Sequence, residues 1–322
     1  MTLKKWYVGV DIGGTTIKLA FIDTMGNIMN KWEIPTNIHD NGLHIVPDIW
    51  NSILNKLSEL HEDKELLLGI GVGAPGFINM DTGFIYQAIN IGWYNYPLRE
   101  ELEKISGIPV KVDNDANLAG AGELWTGSAK GMNDVLFVTL GTGVGGGIII
   151  DGKIVHGKLG MGGEIGHITA DYDEKFKCNC GKKGCLETLV SATGIVRLAM
   201  EKLKKYPESI LNNTIRGKQS LTTKIIFDAY KIQDALAVDV VHEVSKYLGV
   251  ALANLANTLN PECIVIGGGV SKAGDLLLAP VKTTFQKHSL PRIRENTDMR
   301  IASLGNDAGV IGCAWLIKNS LK

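Results

Sequence analysis

Three cysteines and a histidine crowd into one stretch of this 322-residue chain, Gly163-Glu164-Ile165-Gly166-His167 and then Cys178-Asn179-Cys180-Gly181-Lys182-Lys183-Gly184-Cys185-Leu186-Glu187. Three thiolates and an imidazole complete a tetrahedral zinc set, and Gly181 and Gly184 allow the tight turning of a knuckle. Four protein ligands, His167, Cys178, Cys180 and Cys185, leave no open position, so the expected ion is structural rather than catalytic. Coincidental cysteines or a redox pair would account for the number but not for C-x-C and C-x4-C spacing with glycines at the turns. Glu164 and Glu187 flank the cluster. If His167 holds the ion through one ring nitrogen, the other can donate to a ligand. Two carboxylates and an imidazole suit the reading of a ring of hydroxyls.

A second constellation is Asp113-Asn114-Asp115-Ala116-Asn117, where a strand gives way to a helix. One Asp or Asn suffices to cap a helix, and here four of five positions are Asp or Asn. A hydroxyl attacking a phosphoryl group must lose its proton, and a nearby carboxylate accepts it while orienting the oxygen. Asp115 is the expected base. Asn114, donor and acceptor at once, suits a neighbouring hydroxyl.

Three glycine-rich loops offer backbone to phosphate. In Asp11-Ile-Gly-Gly-Thr-Thr-Ile-Lys18, Gly13 and Gly14 let N–H groups approach an anion, Thr15 and Thr16 add hydroxyls, Lys18 adds charge, and Asp11 could hold Mg2+. A plain tight hairpin would use the same glycines. Thr139-Leu-Gly141-Thr142-Gly143 opens the second loop. Gly267-Gly268-Gly269 is the third and follows a buried strand, where α/β sheets expose their ligand sites. The spacing is not that of a Walker A motif, and the G-x-G-x-x-G from Gly141 to Gly146 leads into a strand rather than a helix, against a dinucleotide fold.

These residues need elements to position them. Trp6–Ile12, Lys18–Asp23 and Ile28–Ile34 read as strands, and Leu43–Leu60 as a helix with one apolar face. Leu66–Val72 reads as a buried strand, Gly73–Trp93 as a loop, Leu98–Ile105 as a helix, Pro109–Val112 as a strand, and the stretch after Asp113 as a helix to about Trp125. The pattern then restarts. Val8–Thr15 lies over Leu136–Gly143 and Leu19–Asp23 over Gly147–Asp151, so Asp11 faces Thr139 and Gly13 faces Gly141. Self-similarity of this kind marks a duplicated unit. Later come a helix Ala235–Leu259 stopping at Asn260-Pro261, a strand Cys263–Ile266, a helix Leu276–Lys287, a strand Ile301–Leu304 and a closing helix Ala308–Lys318. The expected fold class is α/β, two domains from an internal duplication facing a central cleft. The smaller N-terminal domain takes residues 1–116 and about 305–322, and the larger C-terminal domain takes 117–304 with the knuckle.

With 45% apolar residues, 21% charged and a net charge of −1, the chain can bury a sizeable core and has no basic excess for nucleic acid. Its apolar runs are too short to span a bilayer, and the opening Met1–Tyr7 is not followed by a leader-like segment. Five cysteines, three of them clustered, point to a metal site in a reducing compartment, the cytoplasm. His156, Met161 and Trp93 are expected to pack, and Cys263 and Cys313 to lie in the core.

The paired hairpins and the third loop resemble the actin-like ATPase and hexokinase superfamily. That resemblance implies RNase H-like domains, phosphates held by the hairpins and adenosine against Gly267, Gly268 and Gly269. The D-I-G-G-T-x-I-K opening, the N-D-A-N segment, the G-G-E-I-G-H element and the C-x-C-G-x2-G-C-x-E knuckle together resemble the ROK family (repressor, open reading frame, kinase) from about Val8 to Trp315. The resemblance implies an ATP-dependent sugar kinase of the Gram-positive glucokinase type, a glycolytic enzyme using Mg2+ with ATP and a structural Zn2+. It makes Asp115 the base, matches Asn114, Glu164, His167 and Glu187 to sugar-binding positions, and puts Gly76 on the other side of the sugar. It also implies a homodimer or homotetramer. Kinases for mannose or N-acetylmannosamine, and a sugar-sensing protein without catalysis, are the alternatives. DNA-binding members carry a winged helix before the first hairpin, where this sequence has only Met1–Tyr7.

Overall fold

Trp6–Ile12 (β1) is apolar on both faces, as a strand covered from both sides must be. Its partners in the computed structural model, which describes residues 4–321, are Thr16–Asp23 (β2), antiparallel, and Leu67–Ala74 (β4), parallel. Ile28–Pro35 (β3) extends the sheet beyond β2. The chain then makes a small antiparallel sheet of Phe77–Asn79 (β5), Phe84–Ala88 (β6) and Trp93–Tyr96 (β7) before Val110–Asn114 (β8) joins β4 in parallel. The order of the first sheet is β3-β2-β1-β4-β8.

The second half supplies Val135–Leu140 (β9), Val144–Ile150 (β10), Lys153–Ile154 (β11), Cys263–Gly267 (β12) and Asp298–Ile301 (β13), in the order β11-β10-β9-β12-β13. Strand for strand this is the order of the first sheet. The repeat read from the glycine hairpins therefore extends to whole sheets, as two RNase H-like domains require.

Helices of nine residues or more are Ile45–Glu59 (α1), Leu98–Ser106 (α2), Asp115–Trp125 (α3), Ala192–Lys202 (α4), Thr223–Lys231 (α5), Ala235–Leu259 (α6), Asp275–His288 (α7) and Ala308–Ser320 (α8). Local chemistry sets their ends. Asp234 caps α6 by accepting from the Ala237 amide at 3.1 Å, and Asn260 stops it in the left-handed conformation just before Pro261.

The chain divides into two compact units. The first holds everything up to Gly131, Gly147–Gly163, and Ser303 onward; the second holds Met132–Gly146 and Glu164–Ala302. The first unit thus keeps α3, which the expected boundary at residue 116 assigned to the other domain, because α3 packs on α8. Gly312 lets them meet: a side chain there would run into the Leu118 carbonyl. The outermost residues of the expected first domain, 1–3 and 322, lie outside the described residues.

In the first unit, Val8, Val10 and Ile12 of β1 share a core with Ile45, Ile49 and Ile53 of α1. On the opposite face, Tyr7, Ala20 and Ile22 pack with Val310, Ala314 and Ile317 of α8. Glu123 of α3 has no exposed surface. Its carboxylate accepts from the Ser128 amide at 2.7 Å, the Ser303 amide at 3.1 Å and the Leu304 amide at 2.8 Å.

Two expectations need correction. Gly73–Trp93 is not a loop but carries β5 to β7, whose short strands are held by pairing. The strand expected at Ile301–Leu304 lies earlier, at Asp298–Ile301, paired with Cys263–Ile266; the Ser303 and Leu304 amides serve Glu123 instead of a ladder. Among the described residues, no helix is long and apolar enough to cross a membrane.

Candidate active site

Parallel strands end together, and in the first unit they bring three chosen segments to one edge. Asp11 of β1 pairs in register with Gly73 of β4, and Gly73 with Asp113 of β8. In-register residues face the same side of a sheet, so Asp11 and Asp113 share a face with a bare glycine between them. Burial pushes the Asp11 carboxyl up, opposed by Lys18, its cross-strand partner in the β1–β2 hairpin. Asp11 Oδ2 lies against Gly309 in the first turn of α8, close enough that any side chain there would collide.

The hairpin tip is tight. The Gly13 amide donates to the Thr16 carbonyl at 3.0 Å, while the Thr36 hydroxyl donates to the Gly13 carbonyl at 2.7 Å and the Thr36 amide to Thr15 at 3.0 Å. Gly14 and Thr15 are exposed. Thr36 braces this tip from β3's end, a role no motif announced. Gly76 has φ +98°, and a side chain there would strike the Gln87 carbonyl; its glycine identity is required by the turn into β5.

At the end of β8 the acid-amide cluster divides its labour. Asn114 is the N-cap of α3: its Oδ1 accepts from the Ala116 amide at 2.9 Å and the Asn117 amide at 3.4 Å. Its side-chain NH2 remains the group suited to donate to a ligand. Asp115 is the first residue of α3 and exposed, with Oδ1 accepting from the Ala116 amide at 2.8 Å. A helix N-terminus favours the ionised carboxylate a base must present. Asp113 is 1% exposed, and its Oδ1 takes the Asn114 amide at 2.7 Å and the Asn117 side-chain amide at 3.0 Å. Its Oδ2 meets His156 Nε2 at 2.6 Å. His156, expected merely to pack, is therefore a polar partner of a buried carboxylate, because an unpaired charge there would be costly. The pair raises the His156 pKa, chiefly through this hydrogen bond. Met161, also expected to pack, is exposed, whereas Trp93 is buried with its indole N–H on the Gly42 carbonyl.

In the second unit the other two loops are neighbours, since Thr139 at the end of β9 pairs with Gly267 at the end of β12. The turn after β9 closes with the Gly141 amide on the Gly143 carbonyl at 2.9 Å. The start of α4 braces it: the Ala192 amide donates to Gly141 at 2.8 Å and the Thr193 hydroxyl to the Thr142 carbonyl at 2.9 Å. Sequence reading had singled out neither α4 nor Thr193. Gly268, at φ +83°, packs its backbone on that of Leu140.

Glu187 joins this loop to the cysteine cluster. Its Oε2 accepts the Val144 amide at 2.9 Å, and its Oε1 lies 3.5 Å from Cys178 Sγ. A side chain at Gly143 would come within 2.5 Å of the same carboxylate. Donor atoms of His167, Cys178, Cys180 and Cys185 all lie within 4.8 Å of one another. His167 Nδ1 is 3.7 Å from Cys178 Sγ, and Cys180 Sγ is 3.6 Å from Cys185 Sγ. With metal–sulfur bonds of about 2.3 Å, a tetrahedron has edges of about 3.7 Å, so the set fits a four-coordinate ion. Burial pushes the Cys178 thiol up to about 12, a cost that a cation among the sulfurs offsets. His167 turns Nδ1 to the sulfurs and Nε2 toward Glu164 Oε2, 3.7 Å away. The split between the two ring nitrogens is thus built into the loop. Cys263 and Cys313 are buried in the core, and none of the five cysteines is joined in a disulfide.

A family model described as ROK family matches residues 7–320. The chain is 56% identical over 314 residues to a glucokinase of Halalkalibacterium halodurans, covering 98% of this chain and 95% of that one. Among solved structures, a ROK family glucokinase from Streptomyces griseus in complex with glucose and AMPPNP superposes with a TM-score of 0.77 at 34% identity, covering 97% of this chain and 98% of that one. A ROK family transcriptional regulator, a homologue of the E. coli MLC protein, superposes with a TM-score of 0.86 at 26% identity, covering 99% of this chain and 79% of the regulator.

Proposed function

The chain belongs to the ROK family, and from that premise we propose that it is a glucokinase, transferring the γ-phosphoryl group of ATP to the 6-hydroxyl of glucose. The observation that carries this reading is Asp115, an exposed carboxylate in the first turn of α3 beside the capping Asn114. Likeness over nearly the full length to a glucokinase favours glucose over mannose or an N-acetylhexosamine.

Asp115 accepts the proton of the 6-hydroxyl as that oxygen bonds to the γ-phosphorus and the bond to the β–γ bridging oxygen breaks, releasing ADP. The Asn114 amide donates to an adjacent hydroxyl, and the Gly76 turn lines the sugar. Glu164 and Glu187 accept from sugar hydroxyls, with His167 Nε2 as donor. Glu187 offers Oε1, which lies 3.5 Å from Cys178 Sγ, while Oε2 holds the Val144 amide. The loops of Gly13, Gly14, Thr15 and Thr16 and of Thr139, Gly141, Thr142 and Gly143 take the phosphates through threonine hydroxyls and the amides that do not close the turns, with Lys18, and Gly267, Gly268 and Gly269 lie against adenosine. Asp11 would hold the Mg2+ that accompanies ATP and neutralises phosphate charge. His167, Cys178, Cys180 and Cys185 would hold Zn2+ as a structural ion. Cysteines that serve a metal site or the core instead of disulfides fit a cytoplasmic enzyme.

The test is an ADP-release assay over a panel of hexoses, on the natural chain and on Asp115→Asn. Turnover should be greatest with glucose, and the variant should lose at least about 100-fold in kcat while remaining folded. A folded variant near the natural rate would remove Asp115 as base. Sugar binding without any ATP turnover by the natural chain would instead revive the sensing alternative, which the regulator's fold keeps in view.

A further inference from the structure

Asp115 acts from a position its neighbours impose, and those neighbours converge on one buried carboxylate. Asp113 receives three donors: the Asn114 amide, the Asn117 side chain and His156 Nε2. The first fixes the peptide leading directly to Asp115. The second ties the first turn of α3 back to β8. The third comes from beyond β11, on the glycine-rich segment that leads to Glu164. His156 is the one imidazole on this carboxylate, with its side chain 29% exposed against 1% for Asp113.

We propose that His156 is a positioning residue for phosphoryl transfer: its hydrogen bond fixes the Asp113 carboxylate, which in turn fixes the Asn114 amide and, through it, the carboxylate of Asp115. The inference rests on Asp115 being the base. Its physical basis is that a carboxylate held on both oxygens keeps one orientation, whereas one held through Oδ1 alone can turn. Without the imidazole, Oδ2 of the buried Asp113 carboxylate loses its hydrogen bond, and the group turns to recover one. The Asn114 amide then loses a charge-assisted partner, the N-cap shifts, and Asp115 moves with it. A base displaced by a fraction of an ångström slows chemistry far more than it alters binding. The nucleotide loops make none of these contacts, so affinity for ATP should be spared.

Steady-state kinetics on His156→Phe and His156→Gln, with Asp115→Asn alongside, test this. His156→Phe should lower kcat by about 30-fold with KM for ATP within about twofold of the natural value. His156→Gln, whose amide can donate to Asp113, should return kcat to within about threefold of natural. His156→Ala covers the case in which Phe prevents folding: added imidazole should then restore turnover. Folded His156→Phe with natural kcat, Gln no better than Phe, or no rescue of Ala by imidazole would each overturn the inference. An inactive Asp115→Asn beside a fully active His156→Phe removes this inference alone. An active Asp115→Asn removes the proposed base and the inference together.

Discussion

His156 and Asp113 stand 43 residues apart and belong to no shared motif. A lone histidine in a glycine-rich stretch carries no local pattern, which is why sequence reading gave it to packing. The helix start at Asn114 and Asp115 and the gathering of the cysteines were legible because each is set by spacing over a few residues. Pairing across the sheet is written only in the fold. The pair also predicts a pH dependence. Asp113 and, more weakly, Asp81 face His156 and raise its pKa in the folded state, against a smaller opposing effect of burial. The folded protein therefore holds the proton more tightly than the unfolded chain. Stability from this source is full below about pH 6.5, the unfolded histidine's pKa, and is lost as pH climbs through the raised folded value. With partial exposure screening the pair, the contribution should stay below about 1 kcal/mol. Urea midpoints for the natural chain and His156→Gln should differ most at pH 6 and converge at higher pH. A gap that widens with pH would contradict the sign.

Among elements, Glu187 stands between the hairpin after β9, whose Val144 amide it holds, and the cysteine knuckle, where its Oε1 lies 3.5 Å from Cys178 Sγ. Both elements and Glu187 itself are legible in the sequence, since each sits in a compact motif, but the bond from Glu187 to the Val144 amide is not. It also missed the sheet of β5, β6 and β7, whose strands are short and interrupted by Asn79, Gly83 and Asn90, so no period of two builds up. The knuckle is held by local turn bonds, such as the Cys178 amide on the Lys182 carbonyl at 2.8 Å, and by two isolated bridges, Thr169 with Cys185 and Lys177 with Lys183, rather than by a continuous sheet. Its order should therefore depend on the ion proposed for this cluster. Chelation, or Cys180→Ser, should speed tryptic cleavage at Lys182 and Lys183 and weaken glucose binding by at least about tenfold, the lower end of what losing the support around a metal site costs. Calorimetric titration with glucose measures the second effect. Metal-free protein that binds glucose as tightly as metal-loaded protein would show that the knuckle does not support His167 and Glu187.

At the scale of the whole chain, the first unit cannot be completed until the last helix is made. α8 covers one face of β1, β2 and β4, and Tyr7, Ala20 and Ile22 have their apolar partners there. The sequence announced α8 as a closing helix, but its partner was not readable, because helix-on-sheet contact leaves no periodic trace linking residue 9 to residue 310. The trace it does leave is glycine. Gly71 of β4 sits under α8 so closely that a methyl group would run into the Cys313 carbonyl, which is backbone and cannot rotate away. Gly69, two residues earlier on the same face, meets instead the side chain of Ile317, with Cγ1 at 2.5 Å from a built Cβ. A side chain can change rotamer; a helix can only move off as a body. Gly71→Ala should therefore cost about 3 kcal/mol or more, and Gly69→Ala about 1–2 kcal/mol, in urea unfolding of the full chain. Hydrogen exchange should show the Gly71→Ala loss concentrated in β1, β4 and α8, with β9 and β12 keeping their protection. The reverse order of costs would mean that α8 yields more easily than the Ile317 side chain, and the close contact between α8 and the sheet would then not be what holds this unit together.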